Sequence, residues 1–176
     1  SGNHFLELQV VERIEDEAAA AAFGLREGQV CAMIHTGSRG LGHQVCSDHV
    51  SALESEYRGQ GDAWHSDRWD ITLPDRQLAA APFHSREGQA YFQAMQAAGN
   101  YAFANRSALT QNLRDVLRQH IGGPDAEVEV LYDVCHNIAK VEQHEVHGVT
   151  CNCCVHRKGA TRALGGAHPE LATRFS

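Results

Sequence analysis

Gln29-Val30-Cys31-Ala32-Met33-Ile34-His35-Thr36-Gly37-Ser38-Arg39-Gly40-Leu41-Gly42 is the stretch that decides the fold class. Gln29 to Ile34 is a short apolar run after Glu27-Gly28, closed by a glycine-rich turn, which is the pattern of a buried strand. Beyond the turn, Leu41, Val45, Val50, Leu53 and Tyr57 fall near helical spacing, so a helix is predicted from about 40 to 58. A strand that passes through glycines into a helix predicts mixed architecture.

The flanking sequence agrees. On the N-terminal side, residues 5–12 alternate, Leu6, Leu8 and Val10 against Glu7 and Gln9, and predict a strand. Glu15 to Phe23, with five consecutive Ala and Gly24 behind it, predicts a helix with a glycine C-cap. On the other side, residues 59–84 hold Gly, Asp, Trp and Pro without a sustained period and read as a long loop with short ordered pieces. Ser85-x-x-Gly lacks the acid of a capping box, but Glu87 to Asn105 is Ala- and Gln-rich and predicts a helix. A second helix is expected from Ser107 to His120, stopped by Gly122-Gly123-Pro124. Glu127 to Tyr132 and Val149 to Val155 read as strands. The fold class is α+β.

Composition excludes several classes. At 176 residues the chain can bury a core, and 43% apolar with 21% charged residues is a globular balance. No apolar run approaches the roughly 20 residues that span a bilayer, so no membrane partner is expected. The opening Ser1-Gly2-Asn3-His4-Phe5 has no initiator Met and no signal-peptide pattern, and reads like a chain entered mid-domain. Six Cys without a secretory signal point to reduced thiols or metal ligands, hence to the cytoplasm. A net charge of −7 on its own argues against a nucleic-acid binder. Val155-His156-Arg157-Lys158-Gly159-Ala160-Thr161-Arg162, however, carries three fixed positive charges and no acid, which suits one or two phosphates.

Twelve His raise the prospect of metal chemistry. His49, His65, His84, His120 and His168 stand in polar or turn-like contexts and are expected at the surface. His4, His35 and His136 share another pattern, each standing at or near a strand end beside polar or glycine-containing sequence. Neutral imidazoles converging on one rim could bind a divalent transition metal, while any one alone reads more readily as a hydrogen-bonded strand-end residue. Gly37-Ser38-Arg39-Gly40 ahead of a helix is a phosphate-favouring arrangement, with Arg39 able to add a bidentate contact, or else an ordinary connection. Asn3 and Asn137 each adjoin a candidate ligand and could donate to a bound phosphate. Cys151-Asn152-Cys153-Cys154 is too tightly spaced for a structural zinc knuckle, and these residues read as small apolar strand positions. Cys135 and His136, adjacent on extended backbone, face opposite ways and do not form a nucleophile–base pair.

Five motifs together are more specific than any of these signals: Ser1-Gly2-Asn3-His4-Phe5-Leu6-Glu7, His35-Thr36-Gly37-Ser38-Arg39-Gly40-Leu41-Gly42-His43-Gln44, Gly99-Asn100-Tyr101-Ala102-Phe103-Ala104-Asn105-Arg106, Tyr132-Asp133-Val134-Cys135-His136-Asn137-Ile138-Ala139-Lys140 and Val155-His156-Arg157-Lys158-Gly159-Ala160-Thr161-Arg162-Ala163. In this order they resemble the RtcB family of RNA ligases, over nearly the whole chain. The resemblance implies an α+β domain of stacked sheets surrounded by helices, of which residues 1–176 are the central part, incomplete at both ends. It implies an enzyme using two manganese ions and GTP. Such an enzyme joins an RNA 3′-phosphate or 2′,3′-cyclic phosphate to a 5′-hydroxyl through a guanylylated histidine. The RNA would be tRNA halves or broken RNA, and the resemblance leaves room for an accessory activating protein. By the same resemblance His4 is a ligand of one manganese, and His35 and His136 are ligands of the other. Asn3, His4, Phe5, Leu6, Glu7, His136 and Asn137 are guanylate-contacting positions, and Arg39, Arg157 and Lys158 contact phosphate or RNA.

The family's Asp-x-x-Cys metal motif and its nucleophilic histidine are not among these residues. The chain by itself is therefore expected to be inactive, with some apolar surface uncovered. Two other readings remain open at this point. One is a non-catalytic metal- or nucleotide-binding remnant of the ligase. The other is a small metallohydrolase using His4, His35 and His136 on a water.

Overall fold

A computed structural model of the chain describes residues 3–60, 63–123 and 127–164. Ser1, Gly2 and His168 lie outside the described residues. The architecture is α+β: helices accompany three antiparallel sheets of two, three and two strands. The chain divides into two compact units, the first made of the combined segments 1–36 and 106–176 and the second of residues 37–105.

The first unit begins with a two-stranded ribbon, β1 (Phe5–Val10) against β2 (Val30–His35). Residues directly opposite in an antiparallel ladder share a face. The register therefore gathers Leu6, Leu8, Val10, Val30, Ala32 and Ile34 on one face, and Phe5, Glu7, Gln9, Cys31, Met33 and His35 on the other. Leu6, Leu8, Val10 and Val30 are exposed. Between the strands lies α1 (Glu17–Phe23), whose start and stop follow from single residues. The Asp16 carboxylate accepts the Ala19 N–H at 2.9 Å, satisfying an orphan donor of the first turn. Gly24 ends the helix in the left-handed region (φ 70°). Its N–H donates to Ala21 O and that of Leu25 to Ala20 O, the paired bonds of a Schellman stop. The helix starts two residues later than the Ala run suggested because Asp16 is its cap, and β1 stops at Val10 rather than residue 12.

The same unit carries a longer hairpin, β6 (Asn137–Val146) and β7 (Val149–Lys158). His147 (φ 51°) and Gly148 (φ 78°) form its two-residue turn, and positive φ at both positions is the type I′ geometry that matches strand twist. Sequence reading found only part of β7 and missed β6. In the opposite direction, the strand expected over Glu127–Tyr132 is not present: the described residues 127–135 form no ladder. Alternation shows that a segment can face two environments, but a strand needs a partner. Here Val128 O accepts from the Arg114 side chain instead.

The second unit pairs α2 (Arg39–Glu54) with the first part of α3 (Arg86–His120). A Cβ built on Gly42 would lie 3.6 Å from that of Ala98, and the His49 and Tyr91 rings meet at 5.5 Å. Since 42 to 49 runs opposite to 98 to 91, the two helices are antiparallel. Strands β3 (Arg58–Gln60), β4 (Ala63–Ser66) and β5 (Ile71–Leu73) form a meander within the expected loop. Leu53, Tyr57, Leu73, Ala98 and Ala102 are buried, and the Tyr57 hydroxyl donates to Ala80 O at 2.6 Å. His49 and His65 are half-buried rather than on the surface, held by the Tyr91 ring and by Thr72 Oγ1.

Two helix boundaries need correction. The helix expected to reach residue 58 ends at Glu54, where the chain turns into β3. The two helices expected on either side of Arg106 are one 35-residue helix, α3. No Gly or Pro interrupts Asn105-Arg106-Ser107, so nothing favours a break there. Ser85 also caps α3 despite lacking an acid partner, since its Oγ accepts the Gly88 N–H at 3.0 Å.

Candidate metal and nucleotide site

β2 delivers His35 to the end of the first ribbon, and the segment before β6 delivers His136. Their Nε2 atoms lie 3.0 Å apart across 101 residues of sequence. The rings are tilted at 55°, and Phe5, the register partner of His35, packs edge-on to it at 5.3 Å. A contact between two ring nitrogens requires one to donate and the other to accept, so only one of these Nε2 atoms carries a proton in this arrangement. Nitrogen–metal bonds of about 2.0–2.1 Å at right angles place two ligand nitrogens roughly 3 Å apart. The pair therefore fits two adjacent ligands of one divalent ion without rebuilding the backbone.

His4 precedes Phe5 and so stands at the same end of the β1–β2 ribbon as His35. Asn3 and His4 are exposed there. Among the described residues no group of three or more His, Cys, Asp or Glu side chains is gathered as an ion site. The structure thus brings His35 and His136 together and does not group His4 with them as a third ligand of one ion. Glu7 lies on the His35 face of β1 and accepts from Gln9 Nε2 at 2.5 Å, while Leu6 belongs to the opposite, apolar face.

Hairpin register brings the basic segment back to His136. Asn137 pairs with Lys158, its Oδ1 accepts the Gly159 N–H at 2.8 Å, and the Ala160 N–H donates to His136 O at 3.2 Å. Lys158 is exposed. Arg157 is engaged differently, since its guanidinium grips the Glu142 carboxylate through two bonds of 2.7 and 2.8 Å. The Arg157 hydrogen bond holds the Glu142 carboxyl down at about 2, with a further bond from His144 acting the same way. Arg39 belongs to the second unit, where it is the exposed first residue of α2 and adopts φ 52°, a region that non-glycine residues seldom occupy.

Two groups escaped sequence reading. Arg106 is buried, and its guanidinium donates to Asp133 Oδ1 at 2.6 Å, to Thr36 O at 3.1 Å and to Cys135 Sγ at 3.8 Å. Arg106 and Asp133 stand within motifs that carry the resemblance, but nothing local gives either a role, because their partners are distant in sequence. Strand β6 did have a local signal: His147-Gly148 between two alternating runs is a two-residue hairpin turn. Cys154 Sγ lies 3.7 Å from His156 Nε2, but among the described residues no three or more cysteines and histidines gather as an ion site. Cys135 faces Arg106 while His136 faces His35, and burial pushes the Cys154 thiol up.

A family model described as tRNA-splicing ligase RtcB matches residues 1–176. The chain is 53% identical over 176 residues to the RNA-splicing ligase RtcB of Mycobacterium bovis, covering 100% of this chain and 38% of that protein. The same figures hold for its counterpart in Mycobacterium tuberculosis. The tRNA-splicing ligase RtcB of Methanococcus maripaludis is 50% identical over 177 residues, covering 99% of this chain and 35% of the relative. The chain thus spans less than two fifths of the length of these curated relatives. A family match over every residue, with half the positions identical in both bacterial and archaeal relatives, leads to one conclusion: the chain belongs to the tRNA-splicing ligase RtcB family.

Proposed function

We propose that this chain forms the histidine-bearing part of an RNA ligase active site that takes two manganese ions and GTP. On this reading His35 and His136 hold one ion, His4 helps to hold the other, and the remaining ligands lie outside the described residues. The observation that carries the reading is the 3.0 Å approach of the two Nε2 atoms in a chain of this family. Bound divalent ions would supply charge neutralisation and polarise phosphate oxygens.

The rest falls to side chains of this chain. Asn3, Phe5, Leu6 and Glu7 with His4, and Asn137 with His136, would line the guanylate. Lys158, opposite Asn137 at the foot of the hairpin, adds a positive charge where a phosphate would approach. Arg157, neutralised by Glu142, would orient that foot as much as attract RNA. Arg39 would contribute a phosphate contact from the start of α2. The reaction would join a 3′-phosphate or 2′,3′-cyclic phosphate end to a 5′-hydroxyl end through a GMP–enzyme intermediate, on tRNA halves or broken RNA. Six free thiols among the described residues suit a reducing compartment, so we place it in the cytoplasm. No described helix is long and apolar enough to cross a membrane.

The test is a transplant. Residues 1–176 replace the matching segment of the mycobacterial relative, and sealing of a 3′-phosphate RNA to a 5′-hydroxyl RNA is measured with GTP and manganese. Sealing by the chimera is expected, with a loss of about 100-fold or more on His35→Ala or His136→Ala. Chimeras that seal equally well without either imidazole would end the proposal.

A further inference from the structure

His35 and His136 come from backbone segments with unequal support. His35 closes the β1–β2 ladder, paired with Phe5. Residues 127–135, which lead to His136, have no ladder at all. A 3.0 Å contact between two rings tolerates little drift, so a long-range tie must hold the unladdered segment against the strand end.

We propose that Arg106 is the positioning residue of the histidine pair, its guanidinium joining the residue after His35 to the segment before His136. The Nη1–H donates to the carbonyl of Thr36, directly after His35. The Nε–H donates to Asp133, three residues before His136, and Nη2 faces Cys135, the residue before it. One rigid planar fork thus fixes the spacing of both backbones. Asp133 supplies the negative charge that lets a guanidinium remain buried there. A lysine would bring equal charge from a single atom and could not hold all three directions. Burial in the middle of α3 keeps the fork from swinging away, as its arm is anchored by a helix that runs on in both directions. The role in metal affinity rests on the proposed function above, whereas the role in ring placement does not.

The test uses the full chain labelled with 15N. The readout is the two-bond coupling across the N–H···N contact of His35 and His136, with the amide signals of β6 and β7 as the check on folding. Wild type, Arg106→Lys, Arg106→Gln and Asp133→Asn are compared, and manganese affinity is followed by electron paramagnetic resonance. We expect coupling in wild type and its loss in both Arg106 variants while the hairpin amides persist. Manganese affinity should fall about 10–100-fold, as when a group orienting a metal ligand is removed. A merely structural ion pair would lower the melting temperature and leave the coupling in place, and coupling retained in Arg106→Lys overturns the inference. So does its absence from wild type. If the Arg106 variants fail to fold, Asp133→Asn decides by the same coupling, retention counting against the proposal and loss for it. Wild-type coupling without manganese binding would leave the positioning role standing, and the transplant described above would then decide the proposed function.

Discussion

Gly88→Ala is a substitution for which helix propensity and tertiary geometry predict opposite signs. Gly88 is the third residue of α3, and replacing a helical glycine with alanine ordinarily stabilises by about 0.5–1 kcal/mol. A Cβ built there would lie 2.3 Å from the carbonyl oxygen of Pro82 and 3.1 Å from that of Phe83. Both are backbone atoms and cannot rotate aside. Ordinary contact begins at 3.4 Å, so the Pro82 carbonyl must retreat by about 1 Å. That carbonyl accepts the Ser85 N–H at 2.9 Å and the Ser85 hydroxyl at 2.7 Å. Ser85 Oγ in turn accepts the Gly88 N–H at 3.0 Å, so the retreat loosens the cap as well. Losing the cap costs about 1 kcal/mol, and one or two neutral hydrogen bonds cost about 1 kcal/mol each. Against the propensity gain, the net is a destabilisation of about 1–2 kcal/mol. Urea unfolding followed by circular dichroism should show a lower midpoint at unchanged slope. Amides at the start of α3 should also exchange faster. A variant as stable as the parent, or more so, would mean that residues 82–88 do not pack as described.

His147 occupies the first turn position of the β6–β7 hairpin at φ 51°, where asparagine is favoured. His147→Asn should slow hydrogen exchange of the ladder by a stabilisation of about 0.5 kcal/mol, and faster exchange would contradict the type I′ assignment. Acid should act on the same hairpin through Glu142. Its folded pKa lies below the ordinary glutamate value, so folding favours the ionised form. That contribution is complete above the ordinary value and is lost as pH falls from there through about 2. Exchange protection of β6 and β7 should decline across that window, and Glu142→Gln should flatten the decline. An unchanged profile in Glu142→Gln would show that Arg157 does not hold the carboxylate.

Legibility in the sequence followed the range of the interaction. Alternation in residues 5–10, the Ala run and Gly24 are local signals with local causes, and β1 and α1 form within two residues of where they were expected. The 127–132 alternation is equally regular and forms no strand, because pairing is settled by a partner and not by the segment itself. Local rules mark His35 and His136 only as strand-end residues, and their pairing came from the family resemblance, since no local rule relates residues 101 positions apart. The role of Arg106, the last residue of the Gly99–Arg106 motif, was unreadable for the same reason. Its sequence neighbours describe an ordinary helix, whereas Asp133, Thr36 and Cys135, which its guanidinium faces, lie 27 to 70 residues away.

Two kinds of organisation therefore meet at this site. Within each ribbon, antiparallel register alone brings motif residues together: Phe5 to His35 in one, Asn137 to Lys158 in the other. A slip of one residue would turn His35 to the Leu6 face, among aliphatic side chains and away from Phe5, so the register of the alternating strands selects the face on which the imidazole stands. No register relates one ribbon to the other. That relation depends on a few side-chain contacts, the ring pair and the Arg106 fork among them. Substitutions in the ribbons should be tolerated wherever alternation is kept, whereas changes at Arg106 or Asp133 should separate rings whose own ribbons remain intact.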